Sequence, residues 1–193
     1  LHSLASVLLG SQATGGQQAV QLITAEETGV GQGATIMVDG TRVTKGGAGF
    51  ANAEMVMAGG KLDSFRMLTH PGTSILPGAF VAAETAGASG QEFLTGVAAG
   101  YEVMERLAAD FIPTVMARGF HASPVFGIFG SALAAAKILN FTEDQVNSTI
   151  ALCVHLASGN PEGPRSGGLA LREGAAVRNA MLAVALAQQG QAG

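Results

Sequence analysis

Cysteine occurs once, at Cys153, so neither a disulfide framework nor a cysteine-built metal site can form within this chain. Charge is scarce as well. Asp, Glu, Lys and Arg make up 12% of the residues, about half of the ~25% usual in a soluble domain. The net charge is -4 and no Lys/Arg run occurs, which removes the electrostatic footprint of a nucleic-acid binder. Long apolar runs are missing too. The most apolar stretch, residues 124–139, falls short of the ~20 residues a membrane span needs and carries Lys137. The residues after Leu1 show no secretory-leader pattern.

What the chain has instead is apolar and small. Hydrophobic residues make up 48% of it, and there are 28 glycines. So little charge leaves much of a monomer's surface uncovered, which predicts a homodimer or a hetero-complex. A buried free thiol at Cys153, inside the apolar pattern ALCVHLA, fits a reducing compartment and predicts a cytoplasmic location.

The periodicity predicts a mainly α protein, a layered bundle of several helices forming one domain over 1–193. Helical patterns cover residues 1–9, 17–28, 48–57 and 75–86, the last with Pro77 in its first turn. Ser89-Gly90-Gln91-Glu92 is a capping box that opens a long helix to about Asp110, with Pro113 marking the break after it. A largely apolar helix covers 126–139. Thr142-Glu143-Asp144-Gln145 is a second capping box, opening a helix to about Ala157, and a last helix covers 174–189. The spacings Gly96–Gly100 and Gly127–Ser131 are read as close packing between helices rather than as a membrane motif. The one β-element is a hairpin near residues 34–44, two β-branched runs joined by Asp39-Gly40.

Histidine is the side chain best placed to handle protons near neutral pH, and His121 stands between Gly119-Phe120 and the turn Ala122-Ser123-Pro124 at a helix entrance. Two other segments concentrate polar side chains, 61–70 and 160–172, and loops between packed helices are where sites are built. A pocket formed by all three would hold His121 as the catalytic group. His70, Asp63, Lys61, Arg165 and Arg172 would bind an anionic or carbonyl-containing small molecule. Plainer roles stay open for each. His70 can shape the Pro71-Gly72 turn, Asp63 can cap it, and Arg172 and Arg178 can be surface or interface residues. His155 reads as a helix-end residue. Four dispersed histidines predict no metal site, and GVGQG at 29–33 follows a helix rather than a strand, so it is not read as a phosphate loop. No cofactor is implied.

The chain resembles the MmgE/PrpD family. The resemblance rests on SLASVLLG, GATIMVDGTRV, ANAEMVMAGGKLD, THPGTSILPGAFVAAETAGASGQEFLTGVAAGYEV, ARGFHASPVFGIFGSALAAAKILNFTEDQV and LREGAAVRNAMLAVALAQQG, taken in order. It implies a helical domain, joined in the family to a smaller α/β lid with the active site between them, and dimers built through the helical domain. Only the N-terminal part of that helical domain is matched, so the lid is expected on another chain or on the other part of a divided protein.

By the same resemblance His121 matches the histidine of the family's GFHPTG-like motif, and His70 matches its HPG element. The HxLDYDD-like motif keeps only Asp63, with Gly60 at its histidine position. The TKxxH-like motif has Leu169 at the lysine and Arg172 at the histidine. Two readings follow. One is a cofactor-independent lyase or isomerase, or one chain of it, working by proton transfer at His121 on a small carbonyl or carboxylate compound less acidic than a tricarboxylate. The other is a non-catalytic helical subunit that stabilises or completes a partner bearing the lid.

Overall fold

The computed structural model describes residues 1–66, 69–160 and 171–193. Within them the chain forms α1 (His2–Gly10), α2 (Thr14–Glu27), β1 (Ala34–Thr35), β2 (Arg42–Val43), α3 (Lys45–Gly59), α4 (Pro71–Ala86), α5 (Gly90–Ala117), α6 (Ala122–Ile138), α7 (Glu143–Leu156) and α8 (Leu171–Gln188). The mainly α bundle with one hairpin is therefore what the sequence predicts. None of these helices is long and apolar enough to cross a membrane.

Helix α6 is the centre. It packs on α4, α5, α7 and α8, and most of its residues are buried. Small side chains on the facing helices allow this. A Cβ at Gly100 would lie 2.6 Å from the Gly130 carbonyl, and one at Gly96 would lie 2.4 Å from Ile138. Both distances are below any real carbon contact, so the glycine spacing of α5 is a close-packing device between helices. Helix α3 makes the other half of the core, against α1, α2 and α8.

The hairpin pairs Ala34 with Val43 and Thr35 with Arg42, antiparallel. Buried Asn52 of α3 holds it by accepting from the Met37 N–H at 2.8 Å and donating to the Thr35 carbonyl at 3.1 Å. Glu84 of α4 accepts from the Thr35 N–H at 2.7 Å.

Proline is where the sequence reading needs correction. Helix α4 begins at Pro71, not at residue 75, and Pro77 lies in its interior. Pro71 occupies the first turn, where a missing N–H is harmless. Pro77 is buried between Leu76 and Gly78, so core packing holds the helix across the one lost hydrogen bond. Likewise α5 runs through Pro113 to Ala117, anchored by buried Ile112 and by Val115 and Met116 against the core. The small-residue turn after His121 is the first turn of α6.

Both capping boxes are formed. The Ser89 hydroxyl accepts from the Glu92 N–H and the Glu92 carboxylate accepts from the Ser89 N–H. Thr142 and Gln145 make the same exchange. Ser89→Ala and Thr142→Ala should each cost about 1 kcal/mol of stability, and the pair should be additive because the sites are far apart. Urea unfolding of the single and double variants measures this. Losses near zero would show that the caps do not hold these helices.

Candidate functional site

Two helix entrances meet at the site, because α4 and α6 pack side by side and each begins after a histidine. His121 is the N-cap of α6. Its Nδ1 accepts from the Ser123 N–H at 3.3 Å, and its own N–H donates to the Gly159 carbonyl at 2.9 Å. An Nδ1 that accepts carries no proton, so the neutral ring holds its proton at Nε2. Burial first, then the nearby Arg172 and His70 charges, push His121 down to about 4. It is a neutral hydrogen-bond donor at physiological pH.

His70 is the N-cap of α4 and is fixed in the opposite sense. Its Nδ1 donates to the Asp63 carbonyl at 2.7 Å, with the Ser64 hydroxyl 3.3 Å away. The neutral ring then offers a lone pair at Nε2. Its backbone is held on both sides. The His70 N–H donates to Ser123 Oγ at 3.1 Å, and the Thr73 hydroxyl donates to the His70 carbonyl at 2.5 Å.

Asp63 sits beside His70, with its carboxylate turned to a capping task. It accepts from the Gly72 N–H at 3.0 and 3.1 Å and from the Tyr101 hydroxyl at 2.6 Å. Burial and that bond push the Tyr101 phenol up. Lys61 is exposed, and its backbone N–H donates to Ser6 Oγ at 3.0 Å, on the α1 side of the segment. Arg172 lies in the first turn of α8, 9% exposed and close enough to act on His121. Burial lowers its pKa, against the opposing pull of Glu173 and Glu54. Arg165 lies outside the described residues, as does Leu169. Of the predicted set, then, the structure brings His121, His70 and Arg172 together. Asp63 supports them from behind His70, and Lys61 stands apart.

Two acids were not anticipated from the sequence. Glu54 of α3 is 1% exposed and accepts from the Gly174 N–H at 3.0 Å. Burial pushes it up to about 7. The Gly174 N–H opposes the rise, Glu173 adds to it and Arg172 counters. Glu173 is fully buried, and its Oε2 accepts from the Ser74 hydroxyl at 2.9 Å, with the Thr73 hydroxyl at 3.2 Å. Burial raises its pKa as well, against Ser74, Ser123, Arg172 and Thr73. The available signal was the scarcity of charge itself. A glutamate inside AGFANAEMVM, and another beside Arg172 in LREGAA, break runs of small and apolar residues. Among the described residues no group of three His, Cys, Asp or Glu is placed to hold a metal ion.

The family model described as the MmgE/PrpD N-terminal domain matches residues 1–193. A curated relative, the cis-aconitate decarboxylase-like protein oryM of Aspergillus oryzae (strain ATCC 42149 / RIB 40), is 29% identical over 133 residues. The match covers 64% of this chain and 28% of oryM.

The Glu54 carboxyl gives the site a pH signature. A carboxyl near 7 in the fold and near 4.5 when unfolded favours folding fully below pH 4.5, and that contribution is lost as pH rises through 7. His121 acts in the opposite direction. Its contribution is present above pH 6.5 and is lost as pH falls through about 4. Glu54→Gln keeps an acceptor for Gly174 and removes only the ionisation. Its thermal midpoint relative to wild type should therefore climb between pH 5 and 7 and level off above. A difference that stays flat from pH 5 to 8 would show that Glu54 does not titrate there.

Proposed function

The chain belongs to the MmgE/PrpD family, and from that premise we propose that it is the histidine-bearing part of a cofactor-independent lyase or isomerase of dehydratase or decarboxylase type, acting on a small carboxylate or carbonyl compound. The observation that carries this reading is the opposed pair of imidazoles at two converging helix N-termini, His70 with a free Nε2 lone pair and His121 with an Nε2 proton. Helix N-termini favour bound anions. Buried Arg172 adds a guanidinium suited to a carboxylate.

In this proposal His70 Nε2 takes the proton from carbon next to a carboxyl or carbonyl group. The electron pair left behind moves onto oxygen, where the neutral His121 N–H donates to the developing charge. The resemblance to the family gave proton transfer to His121. The tautomers favour His70 for that step and leave His121 to stabilise charge. Gly60 and Leu169 stand where the family has a histidine and a lysine, which favours a substrate less charged than a tricarboxylate.

The test uses the native assembly and follows proton–deuterium exchange in D2O with cis-aconitate, the first probe suggested by the name of the Aspergillus relative, and with simpler di- and monocarboxylates. His121→Ala and His70→Gln should each lower turnover by ~10²-fold or more with the fold intact. Arg172→Ala should chiefly raise KM. An unchanged rate in His121→Ala would turn the reading to the non-catalytic helical subunit.

The same proposal includes an assembly, either a homodimer or a complex with a chain that supplies the lid. Leu94, Leu107 and Phe111 are exposed on α5, and Leu182 is exposed on α8, which supports association through apolar faces. Native mass spectrometry at micromolar concentration should show a dimer or hetero-complex. A clean 19.3 kDa monomer with a cooperative melt would count against it.

A further inference from the structure

Both backbone polar groups of His70 are held by hydroxyls that also face one buried carboxyl. Ser123 Oγ accepts the His70 N–H, and Thr73 Oγ1 donates to the His70 carbonyl. Thr73 meets Glu173 Oε2 at 3.2 Å, Ser74 meets it at 2.9 Å, and the Ser123 hydroxyl faces the same group and favours its charged form. Ser123 also reaches the second histidine, since its N–H donates to His121 Nδ1. Glu173 thus joins the first turn of α4 to the first turn of α6 from inside the protein.

We propose that Glu173 is the positioning residue of this site, and that its hydrogen bond from Ser74, with the Thr73 and Ser123 hydroxyls facing it, fixes the spacing and orientation of His70 and His121. The proposal rests on the reading of those two rings as the reacting pair.

The arrangement is one that packing alone disfavours. Thr73, Ser74, Ser123 and Glu173 are all fully buried, and Glu173 Oε1 has no hydrogen-bond partner among the described residues. Burying a carboxyl and three hydroxyls is less favourable than filling the same space with apolar side chains. The contacts also span the chain, with Thr73 and Glu173 100 residues apart, so no local turn requires them. What the cluster does provide is a fixed relation between two helix starts, each carrying a histidine. Catalytic groups need their supporting contacts locked to within a fraction of an ångström. The charged or titratable groups that face Glu173 are Arg172 on its own helix and Glu54 from α3, while His70 and His121 connect to it through the Thr73 and Ser123 groups.

The experiment is an NMR titration of the imidazoles in the full ¹⁵N-histidine-labelled chain, assigned with His→Gln variants. It compares wild type with Glu173→Gln, Glu173→Leu and Thr73→Val. The Gln amide oxygen can still accept from Ser74 and face the Thr73 and Ser123 hydroxyls, so His121 should titrate within about 0.3 pH units of wild type. Glu173→Leu cuts the link, lets water reach the ring, and should raise the His121 midpoint by about one pH unit or more. Thr73→Val keeps Glu173 and the side-chain shape. It should raise the midpoint less, and it carries the test if the leucine variant does not fold. Burial holds the Glu173 carboxyl above the ordinary carboxylate range, so it is uncharged where His121 titrates, and its replacement moves that midpoint through position rather than through charge. An unchanged or lowered midpoint in the folded Leu and Val variants, or a Gln variant that matches Leu, overturns the proposal. The readout needs no substrate. A flat titration removes the positioning role and leaves the exchange assay standing, whereas an inert His121→Ala in that assay leaves this result unaffected.

Discussion

The close approach of α6 to its neighbours is the constraint on which the rest of the fold depends. Where Gly100 meets the Gly130 carbonyl and Gly96 meets Ile138, no side chain larger than hydrogen fits on α5, and the helices lock in one register. Gly127 of α6 stands against Ser74 of α4 in the same way. These contacts leave no slack along the helix axes. The start of α4 and the start of α6 therefore come side by side, and the two histidines at those starts become neighbours although 51 positions of sequence separate His70 from His121.

Given that convergence, the interior beside the histidines is unusual for a core of alanine and glycine. It holds two glutamates and an arginine, each shifted by burial in the direction that disfavours its charge. The low dielectric that makes these groups unfavourable also strengthens every hydrogen bond among them. A polar cluster of this kind specifies one arrangement of its surroundings more sharply than alanine packing can. Beside the cluster lie the two helix starts that carry His70 and His121.

How much of this was legible in the sequence follows the range of the interactions. The capping boxes at Ser89 and Thr142 were readable because both partners lie within one turn. The Asp39-Gly40 hairpin and the His121 helix entrance were readable for the same reason. Proline was overread. Pro77 and Pro113 each remove one hydrogen bond, which tertiary packing around Leu76 and Ile112 outweighs. Asp63 took the plainer of its two roles, a cap on α4. Glu54 and Glu173 were missed because their partners, Gly174 and Thr73, lie 120 and 100 positions away. Periodicity describes one helix at a time and carries no information about which helix ends will meet.

That long range also orders events during synthesis. Helices α4 and α6 leave the ribosome before α8 does, with Thr73, Ser74 and Ser123 already in place and their hydroxyls still bound to water. Glu173 arrives only with the last helix, and closing so long a loop is slow compared with forming any single helix. The nascent chain therefore carries both histidines for some time without the group that ties their helices together. Docking of α8 is thus the step that brings Glu173 to Thr73 and Ser74 and joins the two helix starts from inside the protein.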